Sequence, residues 1–258
     1  MEKISVVVIT KNEERNLEVC LRSVSFANEI IIVDAGSSDK TVKIAQKFTK
    51  NVFTRKWDNF ANQKNYGIDR AKNDWVLSLD ADERVSFALR EELKNLKPLG
   101  EGYAFPIKNY FLGKWMKHGG QYPDYHLRLF NRRKGRFMFN VRQVHEGVYL
   151  KEGARERRLD NCLEHFSYES IYSYIRKFNS YTYLDARGRS EKGVSPSIYG
   201  IIFRPVHRFF KWYFLQLGML DGIHGLIFHS LSAFYYFTCE LKLLEMNGYN
   251  PKAFKWRT

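Results

Sequence analysis

Three apolar runs, ISVVVI at 4–9, EIIIV at 29–33 and WVLSL at 75–79, limit what this chain can fold into more than any other feature. Strands that are apolar at nearly every position, and not only at alternate ones, belong in a sheet covered on both faces. Helical spacing lies between them. Leu17, Cys20, Leu21 and Val24 share one face of Asn16–Val24, Ser38 or Asp39 can cap a helix over Thr41–Phe48, and Asn59–Ala71 reads as a third helix. Asn51–Thr54 adds a short strand. Strands alternating with helices of roughly ten residues predict an α/β fold with a parallel sheet and right-handed crossovers. Ligands of such sheets sit beyond the carboxyl ends of the strands. Three polar clusters fall at those ends: Thr10–Glu14, Asp34–Asp39 and Asp80–Glu83.

From Gly100 to about Leu150 the pattern changes to short strands rich in Phe, Tyr and basic residues, such as Tyr103–Lys108 and His126–Asn131. From Glu164 onward it reads as helical. Ser195-Pro196 breaks the chain before an aromatic helical tail, Ile198–Met246, in which Arg204, Arg208 and Lys211 interleave with Phe203, Phe209, Phe210 and Trp212. Such a tail either packs on the rest of the chain or lies in the headgroup region of a membrane. Gly222–Cys239 is uncharged over 18 residues, long enough to span a bilayer. Its two histidines, two serines, threonine and two glycines argue against a span. The start, MEKISVVVITKNEE, has too short an apolar run for a signal peptide. Cys20, Cys162 and Cys239 are odd in number and scattered, and read as buried thiols of a reducing compartment. A chain of 258 residues accommodates one large α/β domain with an appendage.

The net charge of +14 is concentrated: residues 128–158 hold 10 basic and 3 acidic side chains, whereas 1–97 are nearly balanced. An excess of this kind points to an anionic partner, whether phosphates, nucleic acid or acidic lipid. No nucleic-acid-binding motif is present, and an acidic Asp80–Glu83 cluster suits a polyanion poorly without a metal, so no nucleic-acid partner is expected. A membrane-associated or nucleic-acid-binding basic protein without catalysis is the rival reading.

Asp80-Ala81-Asp82 places two carboxylates on a turn after an apolar strand. Mg²⁺ and Mn²⁺ use one or two such oxygens and complete their shell with water and substrate phosphates. An acidic turn capping a helix near Ser86 has the same sequence. Asp34-x-Gly36-Ser37 can set a carboxylate against a ribose or base, with Gly36 supplying a positive φ. Thr10–Glu14 contains no glycine, which excludes a dinucleotide fingerprint or P-loop there. Among Arg128, Arg132, Arg133 and Arg136, Arg128 lies nearest a strand core and is the favoured phosphate contact.

The string VVVITKNEERNLEVCLRSV…EIIIVDAGSSDKT…WVLSLDADE resembles the nucleotide-sugar half of family 2 glycosyltransferases. The resemblance implies the GT-A fold and inverting transfer of a sugar from a nucleotide diphosphate, here a UDP-sugar, glucose being expected. It places Thr10 and Glu13 near the nucleoside, Asp34 near the base, Asp80 near the ribose or metal, and Asp82 on the divalent cation, Mg²⁺ or Mn²⁺. Asp34-Ala35-Gly36 stands where many members have two aspartates. HLRLFNRRKGRF…VHEGVY, LEHFSYES and RPVHRFFKWYFLQLGMLDG resemble bacterial inner-core lipopolysaccharide glucosyltransferases. In that light Glu146 is the expected general base, Arg128 a donor contact and His165 a further metal ligand. The implied organisation is a catalytic domain over 1–165, with its nucleotide-sugar half at 1–97 and acceptor half at 98–165, and a helical extension over 166–258. The implied acceptor is a glycan or lipid-linked glycan. The implied place is the cytoplasm, in peripheral contact with the anionic inner face of the membrane.

Overall fold

The computed structural model describes residues 2–139 and 146–248, with backbone alone at Phe139 and Glu146. The described residues divide into two compact units, one of residues 2–108, 124–139 and 146–165, the other of 109–123 and 166–248.

The first unit opens with the expected alternation: β1 (Ile4–Thr10), α1 (Leu17–Ser23), β2 (Glu29–Asp34), α2 (Thr41–Ala45), β3 (Val52–Thr54), α3 (Phe60–Ile68) and β4 (Trp75–Asp80). The chain continues through β5 (Glu83–Val85), α4 (Phe87–Asn95) and β6 (Gly102–Phe111), then β7 (Lys114–Trp115), β8 (Tyr125–Asn131), β9 (Gly135–Phe139), β10 (Glu146–Leu150), β11 (Glu156–Arg158) and β12 (Leu163–Tyr168). The main sheet runs β3-β2-β1-β4-β8-β6-β12-β5. Its first four strands are parallel and β8 joins β4 antiparallel, so the sheet is mixed. β9 and β10 form a separate hairpin.

β1 is buried at every residue because both of its faces are covered. Ile4, Val6 and Val8 point to one side with Leu17, Cys20 and Leu21 of α1 and Leu89 and Leu93 of α4. Val7 and Ile9 point to the other with Ala61 and Ile68 of α3. The period-two alternation of a strand thus feeds two cores from one apolar run. Asn59 and Ser86 start α3 and α4 by accepting the backbone N–H groups of Asn62 and Leu89. Ser86, and not the acidic turn before it, caps α4. At α2 the side chain of Asp39 accepts Thr41 N–H.

Gly67 lies where α3 presses on β1 and β2. A Cβ there would overlap Val7 Cγ1 and stand 3.0 Å from Val33 Cγ2. Both valines are fully buried. Alanine would gain about 1 kcal/mol of helix propensity, but overpacking a rigid core costs about 1–3 kcal/mol. Gly67→Ala is therefore expected to lower the urea unfolding midpoint; an increase would show that α3 can shift off the sheet.

Residues 163–168 correct the helical reading that began at Glu164. Leu163–Tyr168 is β12, paired with β5, and the helix starts only at Ile171, where Ser170 and Ser173 form a capping box. The second unit is built on α5 (Ile171–Ser190), α6 (Arg204–Phe210) and α7 (Gly222–Met246). Tyr174 and Phe178 of α5 pack with Phe111, Met116 and residues of α7 such as Leu231 and Tyr235. Cys20, Cys162 and Cys239 are buried, free thiols. No helix among the described residues is long and apolar enough to cross a membrane.

Candidate active site

The three polar clusters do converge. Thr10 stands opposite Asp34 in the β1–β2 register, and Ile9, one residue earlier, stands opposite Asp80 of β4. The carboxyl ends of β2, β1 and β4 therefore lie level with one another.

The loop after β1 is laced to the loop after β2. Asn12 adopts a positive φ of 56°, a conformation its short polar side chain tolerates. Its N–H donates to Ser37 Oγ and its Oδ1 accepts Ser38 N–H, each at 2.8 Å. Glu13 N–H donates to Thr41 Oγ1 at 2.8 Å, and Asn16 Nδ2 donates to the Glu13 carboxylate at 3.0 Å. Glu14 accepts Lys40 N–H at 3.1 Å. Asp34 folds its own turn: one carboxylate oxygen accepts Gly36 and Ser37 N–H, the other Ser37 Oγ–H. It is buried, while Gly36 takes a φ of 82° with open space beside it. Thr10 Oγ1 is buried without a hydrogen-bond partner in the protein.

At the end of β4, four charged groups form a set that the sequence does not announce. Lys64 of α3 is fully buried, with Nζ 3.0 Å from Asp80 Oδ1. Arg128 of β8 places Nη2 3.4 Å from Asp80 Oδ2 and 2.5 Å from Glu83 Oε1. The other Glu83 oxygen accepts Asp80 N–H at 2.9 Å. Burial pushes Glu83 above the usual carboxylate range against the pull of Arg128. For Asp80, burial pushes the same way, but Lys64 and Arg128 outweigh it and hold the carboxyl low. Two cations thus balance two of the three carboxylates in Asp80–Glu83. The third carboxylate, Asp82, has a histidine beside it.

That histidine is His165, brought alongside because β5 and β12 pair with Glu83 opposite His165. His165 Nε2 lies 3.4 Å from Asp82 Oδ1. Burial disfavours the imidazolium, yet Asp82 beside it, with Glu83 and Asp80, holds the His165 pKa above its ordinary value. An oxygen and an imidazole nitrogen at this separation suit one edge of an octahedral ion, whose adjacent ligands stand about 3 Å apart for bonds of roughly 2.1 Å. Among the described residues no three His, Cys, Asp or Glu side chains form a metal cage. Two protein ligands suffice for an ion that takes the rest of its shell from phosphates.

Arg132, Arg133 and Arg136 turn elsewhere. Arg133 pairs with Asp74 at 2.8 Å, Arg132 approaches the same carboxylate at 3.9 Å, and Arg136 pairs with Asp69 at 2.6 Å. Glu146 begins β10 opposite Phe139, but its side chain and the preceding Val144-His145 lie outside the described residues. Asn12, Lys64 and Glu83 are the participants that sequence reasoning did not single out. Asn12 and Glu83 at least belong to the polar clusters; Lys64 sits mid-helix in NQKN with no periodic signal to mark it.

The family described as Glycosyl transferase family 2 matches residues 5–147, more than half of the chain. Over 253 residues the chain is 30% identical to the lipopolysaccharide core biosynthesis glycosyltransferase LpsC of Rhizobium meliloti (strain 1021), covering 95% of this chain and 93% of that protein. It is 29% identical over 257 residues to an uncharacterized glycosyltransferase of Rickettsia bellii (strain RML369-C), with 95% and 87% covered. Among solved structures it is similar to glucosyl-3-phosphoglycerate synthase from Mycobacterium tuberculosis in complex with Mn²⁺, UDP and glucosyl-3-phosphoglycerate. There the TM-score is 0.36 and the identity 21%, over 42% of this chain and 44% of that one.

Proposed function

The chain belongs to glycosyl transferase family 2, and from that premise we propose that it moves a sugar, glucose, from a UDP-sugar to a hydroxyl of a lipid-linked glycan of the lipopolysaccharide core. The GT-A fold of the family matches the mixed sheet, whose parallel half carries the polar clusters at its strand ends. The kind of acceptor is supported by likeness to a protein named for lipopolysaccharide core biosynthesis along nearly its whole length. Such an acceptor puts the enzyme at the inner face of the cytoplasmic membrane, in peripheral contact with it.

The observation that carries the reading is the division of labour at the end of β4. Asp80 and Glu83 are balanced by Lys64 and Arg128, whereas Asp82 and His165 offer an oxygen and a nitrogen to a cation. In this reading Asp82 and His165 hold Mg²⁺ or Mn²⁺, which supplies charge to offset the diphosphate. Thr10, Glu13 and the turn shaped by Asp34 border the nucleoside. Asp80 faces the ribose side of the donor, and Arg128 adds positive charge next to it. Glu146 accepts the proton of the attacking hydroxyl.

Asp82→Ala and excess chelator are expected to lower sugar transfer alike, by about a hundredfold. The measurement is release of UDP in the presence of acceptor, with and without Mn²⁺. Undiminished transfer under chelator would remove the metal from the reaction and leave Asp82 another task.

A further inference from the structure

The helical run from Tyr199 to Leu215, α6 with a π-helical turn at each end, is inverted relative to an ordinary surface helix. A helix facing water keeps its apolar stripe inward and its charges outward. Here the two arginines reach toward α7. Arg204 Nη1 lies 3.2 Å from the buried carboxylate of Glu240, which also receives Arg189 at 2.7 Å. Arg208 sits over the rings of Trp212 and Tyr236, about 5 Å from each centroid. The apolar residues turn out: Ile202, Phe203, Val206, Phe210, Phe214 and Leu215 are each between 43% and 68% exposed. The turn that follows extends the same character through Leu220 and Ile223, at 58% and 61%. The sequence reading left packing and headgroup contact open for the interleaved arginines and lysine; of the three, only Lys211 is exposed. An apolar face this continuous marks an interaction surface.

Charge identifies the occupant. Between Glu191 and Glu240 the sequence has a single acidic residue, Asp221. Asp221 is buried, accepting the N–H groups of Lys117 and His118. Glu240 is buried as well. The face therefore presents no carboxylate to repel anionic headgroups, and Lys211 and His207 are exposed beside the apolar residues. A second copy of the chain, lacking carboxylates on the same face, would offer Lys211 no anion to meet. We propose that the outward face centred on Val206 and Phe210 lies in the interfacial layer of an anionic bilayer, the helix parallel to its plane. The inference rests on the membrane contact put forward above and assigns it a surface.

The test is co-sedimentation of the whole chain with vesicles of phosphatidylglycerol and phosphatidylcholine, beside vesicles of phosphatidylcholine alone. Val206→Glu/Phe210→Glu is compared with the unaltered chain, and Leu215→Ser/Leu220→Ser serves as a second variant on the same face. Thermal melting confirms that each variant is folded. The unaltered chain is expected to pellet with the anionic vesicles. The partition coefficient should fall by about tenfold for each large side chain withdrawn from the interface. If folded variants pellet as well as the unaltered chain, this face is not the contact, though the membrane reading stands. If the unaltered chain stays in the supernatant, both fail. Self-association abolished by the substitutions, without vesicle binding, would make the occupant a second copy. The vesicles contain no acceptor, so none of these outcomes bears on the transferase reading.

Discussion

Glu146→Gln is expected to slow sugar transfer by on the order of 10²–10⁴-fold while leaving the affinity for the UDP-sugar unchanged. Inverting transfer is a single displacement, in which the acceptor hydroxyl must lose its proton as it attacks the anomeric carbon. The amide keeps the shape and hydrogen-bonding capacity of the carboxylate but cannot take that proton. Glu146 opens β10 in register with Phe139, so exchanging carboxylate for amide leaves the backbone pairing untouched. The readout is kcat under saturating donor and acceptor, with donor affinity measured separately. Transfer at near the unaltered rate would remove Glu146 from the proton transfer. Asp124, exposed and 2.9 Å from His126 Nε2, would be the next carboxylate to replace. A joint collapse of rate and donor affinity would make Glu146 a donor contact instead.

Arg128→Met should cost about 3–5 kcal/mol of folding stability, the usual result of removing one partner from a buried ion pair. Glu83 is fully buried and Arg128 nearly so, and the guanidinium bridges Glu83 and Asp80. Methionine fills much of the volume but leaves the Glu83 carboxylate facing an apolar neighbour. The double variant Arg128→Met/Glu83→Leu should recover most of the loss, because replacing a buried pair together is often near neutral. Urea unfolding of the three proteins measures both effects, as a shift in midpoint at constant slope. A single variant as stable as the parent would mean that water reaches Glu83 and the set is not a closed ionic core.

What the sequence disclosed and what it concealed divide along physical lines. β1, β2 and β4 were legible because burial on both faces demands uninterrupted apolar runs, and the level of their ends follows once the sheet is parallel. The Asp80–Glu83 cluster was visible for the same reason. Its internal pairing was not, since Lys64 and Arg128 reach it from α3 and β8, and nothing local to either residue records a distant carboxylate. Glu164–Tyr168 was read as helix because a six-residue strand carries little periodic signal, and its pairing with β5 is a tertiary fact. The aromatic tail was recognised as helical, but which side of it faces outward depends on Glu240, 36 residues from Arg204 in the chain.

The lacing of the first loop to the second has an entropic consequence. Asn12 and Glu14 fasten the backbone N–H groups of Ser38 and Lys40, and Asp39 returns the tie to Glu14 N–H. Immobilising a rotamer-rich side chain on binding ordinarily costs about 0.5–1.5 kcal/mol. In this rim the ordering is completed during folding, before any ligand arrives, so it does not recur on each catalytic cycle. A nucleotide would meet a stiff wall that neither closes on it nor reopens to release it. The amides of Ser38 and Lys40 should accordingly exchange their hydrogens slowly in the empty protein and scarcely more slowly in the filled one.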